Sequence, residues 1–181
     1  MMLRSMSTPR HPDAARAATI DELLERIQSG DASAIVDAAR EIARRGDTTA
    51  CPSLRQILTT TESTEVRNAV ALALSDVKDP LMMDLLIELV KDPRTAGNRG
   101  TLLYALGAYD CASILPLLVS FVVEGNFEVS RQALSIISTI AAVLDEATWR
   151  TCSERVREGL RTATEERRPL LEELLALFDQ E

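Results

Sequence analysis

Slid against itself by thirty-two positions, the chain lays apolar residue over apolar residue, and this period limits its fold more than any other feature. Leu54, Leu86 and Leu118 coincide; so do Leu58, Val90 and Val122, then Ile57, Leu89 and Phe121, then Cys51, Met83 and Leu115. A second set keeps the same register: Val70, Leu102 and Leu134, Leu74 over Leu106, and the arginines Arg67, Arg99 and Arg131. Asn98 in the place of Val66 breaks the pattern, and Pro52 and Pro116 match across Asp84. A unit of this length cannot bury its own apolar face, so successive units must stack and share one core.

Each unit reads as two helices. Ala34 to Arg45 has helical apolar spacing and stops at Gly46-Asp47; Cys51, Leu54, Ile57 and Leu58 then form a second stripe. The next unit runs from Val66 to Val77, turns at Lys78-Asp79-Pro80, and continues from Leu81 to Lys91, with Asp79 and Pro80 expected to open that helix. The third runs from Asn98 to Tyr109, turns at Asp110 and closes at Gly125-Asn126, and a fourth opens at Glu128. Aromatic residues at 3% and seven glycines leave Leu, Ile, Val and Ala to build the core, a composition that favours helix over strand.

Both flanks read as caps. Thr19-Ile20-Asp21-Glu22 is a capping box opening a helix that carries Leu23, Leu24 and Ile27 and ends at Gly30. At the far end Trp149, Cys152, Val156 and Leu160 make one stripe, and Pro169 starts a last helix with Leu171, Leu174, Leu175 and Phe178. The expected organisation is a flexible tail over residues 1–18, then a single domain over 19–181 with central repeats at about 31–144 and capping helices at about 145–181.

Charge narrows the partners. Arg4, Arg10 and Arg16 against Asp13 make the first eighteen residues +2, so the rest carries −10 of a net −8. An acidic body repels a phosphate backbone, which makes nucleic acid a poor partner and a basic protein a better one. Cys51, Cys111 and Cys152 are scattered without CxxC spacing, which fits a reducing cytoplasm and neither a disulfide framework nor a zinc site. The chain has no apolar run long enough to span a membrane. His11, the single histidine, sits beside Pro12 in the expected tail, and no phosphate loop occurs, so no catalytic residue, metal or cofactor is assigned.

The stretches VRNAVALALSDVKDPLMMDLL (Val66 to Leu86) and NRGTLLYALGAYDCASILPLL (Asn98 to Leu118) resemble HEAT repeats, in particular the short bacterial, armadillo-like type related to the E-Z repeats of bilin lyases. Ile35 in the place of the arginine, Ser138 in that of the leucine, and Ser75 and Thr139 in that of the glycine depart from that unit. The resemblance implies an all-α, right-handed α-solenoid of HEAT-like helix pairs with helical caps at both ends. It also implies that helices bearing the V-R signature line a concave face. The outward position on those helices falls on Arg40, Leu72, Tyr104 and Ile136, each thirty-two residues from the next. Three apolar residues there make a candidate contact stripe with Tyr104 as anchor, Arg40, Arg44 and Asp76 as its polar rim, and Asn68 and Gln132 as hydrogen-bonding groups. The ladder Arg67, Arg99, Arg131 reads as structural: such arginines bond an acid or carbonyl of a neighbouring repeat, and Asp92 and Glu124 each stand seven residues before a ladder arginine.

The reading that follows is a non-catalytic protein-binding scaffold or adaptor working through its concave face. A toxin-neutralising immunity protein is the alternative within the same class. HEAT-like enzymes form the competing class. Alkylpurine DNA glycosylases need a basic, tryptophan-lined groove, whereas the only tryptophan here, Trp149, lies outside the central repeats; nothing in the sequence points to the tetrapyrrole pocket of a bilin lyase.

Overall fold

A computed structural model describes residues 18–140 and 145–179, and among these residues every regular element is helical. The expected tail, apart from Ala18, and residues 141–144 of the fourth unit lie outside the described residues. Helix α1 (Ile20–Gln28) opens on the capping box: Thr19 Oγ1 accepts from the Glu22 amide at 3.2 Å, and Glu22 Oε2 accepts from the Thr19 amide at 2.6 Å. Asp31 caps α2 (Ala32–Arg45), which ends on Gly46 at φ 66°, a left-handed conformation glycine adopts without strain. The first turn of α3 (Cys51–Thr60) contains Pro52, where no intrahelical N–H is needed. Ser63 caps α4 (Thr64–Asp76), followed by α5 (Met82–Lys91), a 3-10 turn at Pro93–Thr95, α6 (Gly100–Leu106), a second 3-10 turn at Ala112–Ile114, and α7 (Leu115–Glu124). Asn126 caps α8 (Phe127–Ile137), Asp145 caps α9 (Glu146–Thr162), and α10 (Arg168–Phe178) has Pro169 in its first turn.

The chain is an all-α solenoid. Helices α2, α4, α6 and α8 pack one on the next as one layer, while α3, α5 and α7 each pack on the helix that follows them. Consecutive members of this second layer scarcely touch. A stack crowded on one side and spread on the other bends toward the crowded side, which puts the V-R helices on the inside of the curve. Helix α1 covers the open side of α2, and α9 covers α7 with α10 behind it.

The repeat positions meet in a single core. Leu54, Leu86, Leu118, Leu58, Val90, Val122, Val70, Leu102, Leu134, Leu74 and Leu106 are all buried. In the second unit Met82, rather than the aligned Met83, is the fully buried partner of Cys51 and Leu115, because α5 begins at Met82 after the Pro80-Leu81 turn. Asp79 does not cap α5 as expected. It is 4% exposed and pairs with Arg55 of α3, so its charge ties one repeat to the previous one. Helix α6 is shorter than the expected Asn98 to Tyr109, since Arg99 precedes its first turn and Gly107, Ala108 and Tyr109 close it with tightened backbone bonds.

Candidate protein-binding face

The inner layer bears two adjoining grooves, and together they collect all eight residues singled out on the V-R helices. The first, about 620 Å³ between α2 and α4 with Thr101 at its edge, is lined by Arg40, Arg44, Asn68, Leu72 and Asp76, with Glu65 beside them. The second, about 380 Å³ across α4, α6 and α8, is lined by Asp76, Tyr104, Gln132 and Ile136, with Ser135 and Thr139 on the same side. Asp76, at the end of α4, belongs to both.

The apolar stripe is narrower than expected. Tyr104 is 63% exposed and Leu72 is half-buried, but Ile136 is only 3% exposed and belongs to the core. Ile136 lies close against the end of α6, where a Cβ on Gly107 would stand 3.2 Å from Ile136 Cγ1. Ile136 forms the floor of the second groove rather than a contact of its own.

The charged groups divide by helix. On α2, Arg40 faces Asp37 at 3.6 Å, and Arg44 bonds Glu41 through Nη2 at 2.6 Å and Nε at 2.8 Å. Arg45 Nε adds a third bond to Glu41 at 2.6 Å, and the two guanidiniums hold the Glu41 carboxyl down at about 2. These arginines are therefore neutralised within their own helix, and the first groove is no continuous cationic channel. Asp76, Tyr104 and Gln132 contrast with them: among the described residues none of their side chains has a hydrogen bond or ion pair. Asn68 Oδ1 is buried without a partner among the described residues.

The arginine ladder splits. Arg67 is 7% exposed and donates through Nη2 to the carbonyl of Thr61, the residue that ends α3, at 3.2 Å. Arg99 does the same for Asp92, after α5, at 3.3 Å, and its guanidinium carbon sits 5.5 Å from the centre of the Phe121 ring. Both follow the structural reading, with backbone carbonyls as acceptors. Arg131 instead is exposed and pairs with Glu173 of α10 at 3.2 Å, while Glu124 pairs with Arg155 of α9. The carbonyls at the end of α7 go to Arg167, which donates to Gly125 at 2.6 Å, Val123 at 2.8 Å and Val122 at 2.9 Å.

Sequence reasoning missed Arg167 because it lies outside the period, and missed Tyr109 because no other unit has an equivalent. Tyr109 Oη donates to the Asp79 carbonyl at 3.1 Å, and Ser75 Oγ donates to the Ala105 carbonyl at 2.9 Å, so both join successive units. Ser135 and Thr139 were findable, since each lies three residues on from Gln132 or Ile136, Ser135 within α8 and Thr139 in the turn that ends it. The three thiols are buried, which pushes Cys51 and Cys152 up and Cys111 up to about 11, so they remain protonated and unreactive at neutral pH. Among the described residues no cluster of His, Cys, Asp or Glu is arranged to hold a metal ion, and no helix is long and apolar enough to cross a membrane.

A bent stack of helix pairs with an uninterrupted core and a grooved inner layer defines an α-solenoid of the repeat class. Residues 20–107 match the family model described as HEAT repeats, and over that stretch the chain is a HEAT-repeat protein. Beyond the matched residues the thirty-two-residue period of apolar positions continues into α8. No curated protein matches the chain at a significant level. HEAT repeats in general act as protein-interaction scaffolds.

Proposed function

We propose that this protein is a non-catalytic scaffold or adaptor that holds another protein on the inner face of its solenoid, with Tyr104 as the anchor. The observation that carries the reading is Tyr104 itself, a large aromatic side chain 63% exposed in the second groove of the inner layer. An aromatic ring with a polar tip at the centre of a grooved face is the kind of group that dominates binding energy at interfaces. The partner is a basic protein, in keeping with a net charge of −8, and the site of action is the cytoplasm, in keeping with three free, buried thiols. A DNA-processing role would need a cationic groove, whereas Arg40 and Arg44 are matched by Asp37 and Glu41.

The test is affinity capture from the native host, with wild-type protein and Tyr104→Ala as parallel baits and mass spectrometry as readout. The expected result is a partner enriched on the wild type and lost on the variant, with an unchanged thermal midpoint, since an exposed ring contributes little to the core. A partner retained by Tyr104→Ala removes the inner face from the reading.

A further inference from the structure

Helix termini prefer particular charges. The backbone dipole leaves the C-terminal end of a helix partly negative, so a cation there is stabilising and a carboxylate costs stability. Helix α2 obeys this, with Arg44 and Arg45 in its last turn. Helix α4 does the reverse: it has no basic residue in its last turn and ends on Asp76, the residue thirty-two positions on from Arg44. That carboxylate is exposed, and among the described residues it has no compensating ion pair or hydrogen bond. The nearest cation along the chain, Lys78, donates to the Ala108 carbonyl at 2.8 Å and does not pair with it.

The neighbours of this carboxylate complete a set. The groove that contains Asp76 also contains the exposed ring of Tyr104 and the amide of Gln132, floored by the buried Ile136; Lys78 lines it too, with its ammonium bonded to the Ala108 carbonyl on the same wall. A carboxylate, an aromatic face and an amide oxygen with spare hydrogen-bonding capacity, converging on about 380 Å³, match one chemical group well. A guanidinium is planar, stacks on an aromatic face, and offers a fork of N–H donors to a carboxylate and an amide oxygen. An ammonium satisfies the charge but neither the stacking nor the fork.

We infer that the groove between α4, α6 and α8 is a subsite for an arginine side chain of the partner protein, stacked on Tyr104 and held by Asp76 and Gln132. This rests on the reading of the inner face as the binding face, and it names the chemistry the partner must present there. It also accounts for the unfavourable charge at the end of α4, because the incoming cation supplies what that helix terminus lacks.

The test needs no knowledge of the partner. Nα-acetyl-arginine amide is titrated into the full chain while the tyrosine ring resonances are followed by NMR; Nα-acetyl-citrulline amide, nearly the same shape but uncharged, and Nα-acetyl-lysine amide are run alongside. The chain has two tyrosines, and Tyr109, already bonded to backbone carbonyls, serves as internal control. The expected result is a saturable shift of the Tyr104 ring with the arginine compound, weaker with lysine, absent with citrulline, and weakened by about tenfold in Asp76→Asn, the scale of one charge-assisted contact. Asp76→Asn should also keep or raise the thermal midpoint while it loses the ligand, a combination that a merely structural carboxylate would not give. Equal shifts with citrulline, no difference in Asp76→Asn, or shifts no larger at Tyr104 than at Tyr109 would overturn the subsite. In the capture experiment, a partner lost with Tyr104→Ala but fully kept by Asp76→Asn leaves the binding face standing and rejects the arginine subsite. A partner kept by Tyr104→Ala removes the face, and this inference with it.

Discussion

The middle of the solenoid and its C-terminal end solve one problem in different ways. Each outer-layer helix ends with carbonyls that have no partner within the helix, and each end lies against the next inner helix. At the junctions of α3 with α4 and of α5 with α6, the solution comes from the repeat: Arg67 and Arg99 turn back and donate to the carbonyls of Thr61 and Asp92. At the junction of α7 with α8 the aligned arginine is present but is not used. Here only Gly125 and Asn126 separate the two helices, and the pair packs more closely than α3 with α4. A short hydroxyl serves here, as Thr95 Oγ1 does beside Arg99 at the end of α5, where it donates to the Leu89 carbonyl at 2.6 Å: Ser130 Oγ donates to the Phe121 carbonyl at 3.2 Å and lies 3.1 Å from that of Gly125. Arg167, arriving from the C-terminal cap, bonds the remaining carbonyls and the same hydroxyl, and Arg131 is left to pair with Glu173 at the surface. The requirement is a cation at the helix end, and the tertiary structure decides which residue meets it.

The contrast can be broken most directly at Arg167. Arg167→Ala removes three charge-assisted bonds to part-buried carbonyls at the end of α7, and should cost roughly 2–4 kcal/mol of stability in denaturant unfolding. A loss below about 0.5 kcal/mol, the range of an exposed ion pair, would mean that the C-terminal cap is not needed to close α7.

A smaller effect separates the middle of the stack. Tyr109→Phe removes the hydroxyl that reaches the Asp79 and Leu74 carbonyls and should cost about 1 kcal/mol near neutral pH. Burial and the Asp79 carboxylate push the Tyr109 hydroxyl up to about 12, so the folded chain keeps this proton where the unfolded chain loses it. Its contribution is complete below the ordinary tyrosine value of about 10 and declines as the pH rises from there through about 12. Wild type should therefore lose more stability than Tyr109→Phe across that window, and parallel unfolding curves would show that the hydroxyl is not held as described.

The least effect is expected at the residue that the period makes most conspicuous. Arg131→Ala and Arg131→Glu should each change stability by no more than about 0.5 kcal/mol, because Arg131 and Glu173 are both more than half exposed and such pairs contribute little. A cost comparable to that of Arg167→Ala would put the third arginine back among the structural ones.

The inner face was legible to a similar extent and for a similar reason. Helical spacing brought Arg40, Arg44, Asn68, Leu72, Asp76, Tyr104, Gln132 and Ile136 to one side of the V-R helices, and they line two adjoining grooves there. Spacing alone could not show that Ile136 sinks against Gly107, nor that Arg40 and Arg44 are neutralised by Asp37 and Glu41 while Asp76 is not. Those outcomes depend on how closely neighbouring helices approach and on which rotamers reach a partner. Sequence periodicity contains neither.

By itself, the sequence determined the helix pairs, their thirty-two-residue step, the leucines of the core and the helix starts at Thr19 and Pro169, because apolar spacing and capping chemistry act within a few residues of chain. Only the tertiary structure decided that Arg167 rather than Arg131 closes α7, that Asp79 pairs with Arg55, and that Asp76, Tyr104 and Gln132 share one groove. Each of these joins residues on different helices, and an interaction between distant parts of the chain exists only once packing has brought them within reach.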